Sequence, residues 1–562
     1  MKFLFRITVV VLMLGFSSCE MFNLELQDNP NRVAPEKAEI NFLYNNLQLT
    51  FNNFVNATFR LGADATRMVN MGAFTYNNRY TPTGFNGIWN TAYSAFLPDA
   101  EALLTQAGER GLFVHSGTTK IMKAYVLMTM VDLFANVPYT EALQGTDIIS
   151  PKIDDGASIY TVAEGLLDEA ISDLGNDAAL PAEDNFYDGD VNKWIALANT
   201  LKIRMYMTTR LVDGQAIGKI GEIVAAGNYI TDEGGDFEFK YSNQRDNPNS
   251  RHPFYNNSYE TNDGTYMSNY FMWAMQKGHA DGLKDPRMRF YFYRQTSNAF
   301  EQDVNVYSCI FSDFPDQSAK PDHYSEEMPY CVLEEGFYGR DHGNGSGIPP
   351  DGPIRTVYGL YPGGGNFDDN QFEFTQNAGT DGALGEGITP IMLSSWVDFM
   401  LAEAALFGGT GDARDHLENG MTKSMDKVFG WSSKINTAKV VGTDVEGNDV
   451  TLQAAFLDSI DVDAMVYRDA ILAQFDAADA DEKLNIIIKQ YQVALWGNGM
   501  EILNAYRRTS KPSNLQPSLE PSSGDFPRTF VYPLVFVTLN SQATQKTHKD
   551  KVFWDTNPDE IN

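Results

Sequence analysis

Residues 121–142 read Ile121-Met122-Lys123-Ala124-Tyr125-Val126-Leu127-Met128-Thr129-Met130-Val131-Asp132-Leu133-Phe134-Ala135-Asn136-Val137-Pro138-Tyr139-Thr140-Glu141-Ala142. Ile121, Ala124, Tyr125, Met128 and Val131 recur at three- and four-residue steps, which places them on one face of a helix. Pro138 has no amide hydrogen and halts that helix, while Val137 and Tyr139 pack the corner. A second stripe runs through Trp194, Leu197, Ala198, Leu201 and Met205. The same periodicity predicts helices at 37–56, 86–107, 158–175, 389–407, 412–429, 452–474 and 482–507, with Ser158 as a cap. The fold class expected is mainly α, built of helix pairs with few short strands, although no fixed repeat period is plain.

Residues 240–388 differ in kind. They are dense in Gly, Asn, Asp, Tyr, Phe and Pro, and runs such as Gly343-Asn344-Gly345-Ser346-Gly347 are turns. A long irregular stretch inside a compact body is usually functional. The expected body, 36–562, therefore has N-terminal helix pairs (36–239), a loop-rich insertion (240–388), C-terminal helices (389–510) and an irregular tail (511–562).

The N-terminus carries Lys2 and Arg6, an apolar run over Ile7–Phe16, and then Ser17-Ser18-Cys19. The run is short for a membrane span and reads as a signal peptide over 1–18. Small residues directly before Cys resemble the lipoprotein cleavage box, so Cys19 is the expected lipidation site. Residues 19–35, with Pro30 and Pro35, form a tether. A plain signal peptide with an incidental Cys, or a buried N-terminal segment, is the competing reading. The chain's 562 residues carry 42 Lys and Arg against 74 Asp and Glu, a net charge of −32. That surface repels phosphate backbones and excludes nucleic acid as a natural partner. The two other cysteines, Cys309 and Cys331, either pair in an oxidising compartment or stay as free buried thiols.

Catalytic signatures are missing. There is no His-Glu-x-x-His, no phosphate loop and no Gly-x-Ser-x-Gly elbow, so no metal, cofactor or catalytic residue is expected. Asp444-Val445-Glu446-Gly447-Asn448-Asp449 lacks the calcium-loop pattern and reads as a polar hairpin turn. Trp89, Trp194, Trp273 and Trp396 lie at helical spacing among apolar neighbours and are expected in the core. Aromatics mixed with polar residues gather in two places: 74–80, with Tyr76 and Tyr80, and the insertion, with Tyr255, Tyr259, Tyr338 and Tyr361. A sugar ring stacks on such residues while Asn, Asp and Arg bond its hydroxyls. These six tyrosines are the candidate ligand-binding residues; the competing reading is that each ring covers core.

Several motifs in order resemble the SusD/RagB family of outer-membrane lipoproteins, in its SusD-like branch. They are Trp89-Asn90-Thr91-Ala92-Tyr93; Val137-Pro138-Tyr139-Thr140-Glu141-Ala142; Trp194 followed by Ala198-Asn199-Thr200-Leu201-Lys202-Ile203-Arg204; Asp285-Pro286-Arg287; Ala402-Glu403-Ala404; Gly499-Met500-Glu501 with Arg507-Arg508; and Arg528-Thr529-Phe530-Val531-Tyr532-Pro533. The resemblance implies tetratricopeptide-like helix pairs with an inserted ligand region. It implies a lipid-anchored, non-enzymatic protein exposed at the cell surface that passes a nutrient to a SusC-type TonB-dependent transporter. The implied ligand is an oligosaccharide, with an oligopeptide as alternative. A surface hydrolase and a pure helical-repeat scaffold are the rivals from other classes.

Overall fold

The computed structural model describes residues 39–176, 182–261, 266–280, 282–297, 320–331, 333–345, 354–375 and 382–557. Among them, helices of ten or more residues carry the architecture. The N-terminal block holds α1 (Ile40–Ala65), α2 (Leu97–Arg110), α3 (Phe113–Phe134), α4 (Gly156–Leu174), α5 (Val191–Thr209) and α6 (Ala216–Ala226). The C-terminal block holds α7 (Ser394–Leu406), α8 (Ala413–Gly430), α9 (Ile460–Ala477), α10 (Ala480–Ala494) and α11 (Gly499–Thr509). Successive helices pack as antiparallel neighbours, α2 on α3, α3 on α4, α4 on α5, α7 on α8. The blocks meet where α5 touches α7 and where α1 packs along α11. No described helix is long and apolar enough to cross a membrane.

The stretch 121–134 forms the C-terminal half of α3, which is buried on nearly every side. A helix apolar all round belongs at the centre of a body rather than on its surface. It stops at Ala135, whose φ is +61°. The Val-Pro-Tyr corner is then held by Asp154, whose carboxylate accepts from the Tyr139 and Thr140 amides at 2.7 and 2.9 Å. The four tryptophans expected in the core are buried.

Charged motif residues are buried beside α3. Asp132 Oδ2 accepts from Arg204 Nη2 at 3.0 Å and Asn504 Nδ2 at 2.9 Å. Its Oδ1 accepts from Tyr160 Oη and from Trp554 Nε1. Arg204 Nε also reaches Glu501 at 2.6 Å. One carboxylate thus ties α3 to α4, α5, α11 and the tail. A neighbouring cluster sets Glu403 of α7 between Arg508 (2.7 Å) and Arg210 (2.9 Å).

Three local expectations are corrected. The helix expected over 482–507 is two helices, α10 and α11, because Gly497 adopts φ +98° and Gly499 must approach α1. A Cβ on Gly499 would lie 2.1 Å from the Phe59 carbonyl oxygen, and one on Gly62 would lie 1.8 Å from the Gly499 carbonyl oxygen, so both helices need glycine at the crossing. The cap of α4 is Asp155, whose side chain accepts from the Ala157 amide, and not Ser158. The stretch 74–80 is not all loop: Tyr76–Arg79 make one helical turn, capped by Thr75.

Strand β1 (Phe237–Tyr241) pairs antiparallel with β4 (Gly387–Met392), bringing the two ends of the insertion together. Inside it, β2 (Phe292–Tyr293) pairs with β3 (Val357–Tyr358). The insertion shares the core of the helices. Trp496 is surrounded by Tyr358 (4.5 Å between centroids), Phe271 (5.4 Å), Tyr291 (5.5 Å) and Phe292 (5.8 Å), with Phe59 of α1 beyond. Its indole N–H donates to Gly359 O at 2.8 Å. The Asp285-Pro286-Arg287 turn anchors the insertion to α8: Asp285 holds the Arg287 guanidinium, whose Nη1 donates to Ser424 at 2.8 Å. A further hairpin, β5 (Val440–Thr443) and β6 (Asp449–Thr451), turns through Asp444, which accepts from the Glu446 and Asn448 amides, as a polar turn does.

Candidate functional site

Three distant stretches converge on a cleft of about 660 Å³: Tyr76 after α1, His323 of the insertion, and tail residues including Ser518, Glu520, Asp525, Phe526, Arg528 and Lys549. Each is positioned by backbone or buried polar groups. The Tyr76 amide donates to Ser523 O at 2.9 Å. Arg79 pairs with Asp64, which is fully buried at the end of α1. Burial pushes the Asp64 carboxyl up, and the Arg79 and Arg60 guanidiniums oppose it. His323 Nε2 lies 2.9 Å from Ser518 O.

Behind the cleft, Asp341 gathers donors: Asn269 at 3.1 Å, Gln516 at 2.8 Å and the Cys331 amide at 2.8 Å. Burial nevertheless raises its carboxyl. Gln516 in turn accepts from the His342 amide (2.9 Å), and its carbonyl accepts from Arg67 Nε (2.9 Å). Insertion and tail are thereby locked to the end of α1.

The cleft floor is aromatic. The Tyr76 ring lies edge-on to Phe526 at 5.8 Å and parallel to Tyr80 at 6.4 Å. Both Tyr76 and Phe526 are nearly buried and offer little open ring face. Tyr76 Oη lies 3.1 Å from His342 Nε2. Burial, with the nearby Arg67 charge, holds His342 well below its usual range, so the imidazole is neutral. The hydroxyl donates to Nε2 when the ring proton sits on Nδ1. That Nδ1 has no partner, and neither does Ser518 Oγ in the cleft wall. Buried polar atoms are normally hydrogen-bonded; Ser518 belongs to the cleft lining, where a ligand or water answers it, whereas His342 lies behind the lining. The rim carries both signs, with Lys549 3.2 Å from Asp525. A hydroxyl and charged hydrogen-bonding groups over an aromatic floor suit a polar, hydroxyl-rich molecule held chiefly by hydrogen bonds. No cluster able to hold a metal occurs among the described residues.

A family model described as "Starch-binding associating with outer membrane" (SusD-like_2) matches residues 30–335, more than half of the chain, and one described as "Susd and RagB outer membrane lipoprotein" matches 367–551. The chain belongs to the SusD/RagB family. Solved SusD structures share its fold at low identity. A chitin-binding SusD homologue from Flavobacterium johnsoniae is 19% identical, covers 92% of this chain and 99% of its own, and has a TM-score of 0.58. A SusD homologue from Bacteroides fragilis is 17% identical, with coverages of 93% and 99% and a TM-score of 0.63. A SusD/RagB family protein from Bacteroides thetaiotaomicron is 19% identical, with the same coverages and a TM-score of 0.60. No curated protein matches the chain.

On this SusD fold, the candidate tyrosines separate. Tyr76 lines the cleft. Tyr80 is core: its ring packs on Phe530 at 4.9 Å and its hydroxyl donates to Leu61 O at 3.0 Å. Tyr255 and Tyr259 stack on each other at 5.2 Å, and Tyr259 donates to Tyr358 O at 2.8 Å. Tyr361 is buried against Tyr291. Tyr80, Tyr255, Tyr259 and Tyr361, candidate ligand-binding residues, have rings packed in the core, as the competing reading had it; Tyr76 is buried to the same degree but edges the cleft. Tyr338 is half-buried, with its backbone paired to Thr356. The tail was not expected at the site; its only signal is the turn-rich run Pro517-Ser518-Leu519-Glu520-Pro521-Ser522-Ser523-Gly524. Cys331 is disulfide-bonded, while Cys309 and Cys19 lie outside the described residues.

Proposed function

We propose that this chain is a lipid-anchored, cell-surface binding protein that captures an oligosaccharide in the Tyr76 cleft and passes it to a SusC-type TonB-dependent transporter. The observation that carries the reading is the unpartnered Ser518 Oγ in the wall of a cleft lined by Tyr76, Phe526 and charged groups, on a SusD/RagB fold. The family description as starch-binding and the chitin-binding structural neighbour support a glycan. The cleft holds and orients; the reading assigns it no bond-making step. Lipid on Cys19 would tether the body through residues 20–35.

Isothermal titration against malto- and chito-oligosaccharides, beside a peptide pool, tests the ligand class. Binding of one glycan series is expected, weakened about three- to ten-fold by Ser518→Ala through loss of one hydrogen bond. Heat from peptides alone would overturn the glycan reading. Co-purification of a TonB-dependent transporter with the lipidated chain tests the partner.

A further inference from the structure

A second cleft, of about 560 Å³, shares no lining residue with the first. It lies between the insertion and α9, where the Asp285-Pro286-Arg287 turn, the 368–370 segment and Val466 meet. Its cations are nearly all committed. Arg294 forms a two-bond fork with Asp368 (2.7 and 2.9 Å), and Lys284 reaches both oxygens of Glu335 (2.7 and 2.5 Å).

Arg289 differs. Its Nη1 donates to Asp368 O at 2.7 Å and to Asn370 Oδ1 at 3.2 Å, and its guanidinium lies 3.9 Å from the Phe456 ring centroid. Among the described residues no carboxylate pairs with it, and Nε and Nη2 carry no hydrogen bond. Burial, with the nearby Arg294 charge, acts to lower the affinity of this guanidinium for its proton, while Asp368, Asp369 and Glu335 act to raise it from beyond ion-pair distance. Nε and Nη2 form the edge of a guanidinium that fits a carboxylate with two parallel bonds. Ring stacking and the two Nη1 bonds fix that edge in advance, which reduces the ordering cost of binding.

We infer that this cleft is a carboxylate-binding site, with Arg289 as its anchor. Apolar surface beside the anchor, from Phe337 in the lining and from Val466 and Leu283 at 47% and 39% exposure, would take the body of the acid-bearing residue. The carboxylate belongs to a uronic acid of a glycan or to the end of a peptide; both present the same two oxygens. Asp463 faces the same cleft with only a Ser459 hydroxyl on it, 3.1 Å away, and opposes an anion. The inference stands whether or not the Tyr76 cleft takes a glycan.

The test uses matched probes at low ionic strength: trigalacturonic acid against its methyl ester, and trialanine against its C-terminal amide. In each pair the free acid is more negative than its ester or amide, and the net charge of −32 disfavours it, so a preference for the acid must come from a local site. In at least one pair the free acid is expected to bind about ten- to hundred-fold tighter than its ester or amide. Arg289→Gln should abolish that preference, Asp463→Asn should strengthen it, and Ser518→Ala should leave it unchanged. A preference confined to the uronide pair supports the site and assigns it to acidic glycans; one confined to the peptide pair supports it and assigns it to peptides. Equal binding of acid and neutral forms in both pairs, or no binding by either acid, overturns it. So does a preference that survives Arg289→Gln. Should that variant fail to fold, Val466→Asp on the exposed rim must weaken acid binding selectively; an unchanged preference there overturns the inference equally.

Discussion

Replacing Asp132 by Asn leaves the shape of the side chain intact while removing one acceptor oxygen and the charge paired with Arg204. Four donors point at the two oxygens: Tyr160 Oη and Trp554 Nε1 at one, Arg204 Nη2 and Asn504 Nδ2 at the other. An amide has one acceptor oxygen. With the NH₂ on the Oδ2 side it faces two obligate donors, Arg204 and Asn504. On the Oδ1 side the Tyr160 hydroxyl can turn to accept and only Trp554 is stranded, so one or two buried donors lose their acceptor, depending on the flip. Each stranded group costs about 1–3 kcal/mol. Arg204 keeps Glu501 at 2.6 Å, which limits the loss from the ion pair itself. The expected destabilisation is about 3–5 kcal/mol, in the range for breaking a buried pair from one side. Urea unfolding followed by tryptophan fluorescence reads it as a lower midpoint. Tyr160→Phe is the control: it removes one of the four bonds and should cost about 1 kcal/mol. An Asp132→Asn loss below about 1 kcal/mol, or a Tyr160→Phe loss as large as that of Asp132→Asn, would show that the carboxylate is not the junction its geometry implies.

Glu403 should make stability acid-sensitive. Burial acts to raise its carboxyl, but Arg508 and Arg210 outweigh it and hold it at about 2. A folded value below the unfolded one contributes stability above the unfolded pKa that is lost as pH falls toward 2. The contribution is on the order of 3 kcal/mol, and Glu403→Gln should flatten that part of a stability–pH curve. Gly499→Ala should destabilise by about 3 kcal/mol or more, because backbone of α1 stands on the far side of the new methyl and cannot swing away; a melting temperature unchanged from the parent would refute the close crossing. Cys19→Ala should move the chain from the membrane fraction to the soluble one while its binding persists; retention through salt washing would mean that lipid is not the anchor.

The helices were legible because their burial is written as a period. The stripe through Trp194 marks core-facing positions in the first half of α5, whereas in α3 it marks the helix and understates a burial that extends to nearly every side. The break at Gly497 was not, since the apolar pattern runs on across it and only the approach of α1 demands the turn. The loop tyrosines left two readings open for a similar reason. Tyr255, Tyr259 and Tyr361 have polar or glycine neighbours in sequence, which looks like surface, but their rings fold back toward Trp496 and its companions. Polar neighbours fix the chain's solvation, not the direction of a ring. Ser518 was invisible because the fact that matters about it, an unanswered hydrogen-bonding atom in a cleft wall, exists only once residues from three distant segments have met.

The glycine crossing of α1 and α11 also bears on time. A chain emerging N-terminus first presents α1 long before Gly499 exists, so the face around Gly62 must wait, unfilled, for the last helix. Trp496 arrives equally late, after every insertion ring that packs around it. Contacts of such long sequence separation form slowly and leave apolar surface open meanwhile. The body should therefore acquire protease resistance in one late step, when residues beyond 499 are released, and chains truncated after α9 should remain cleavable along their whole length.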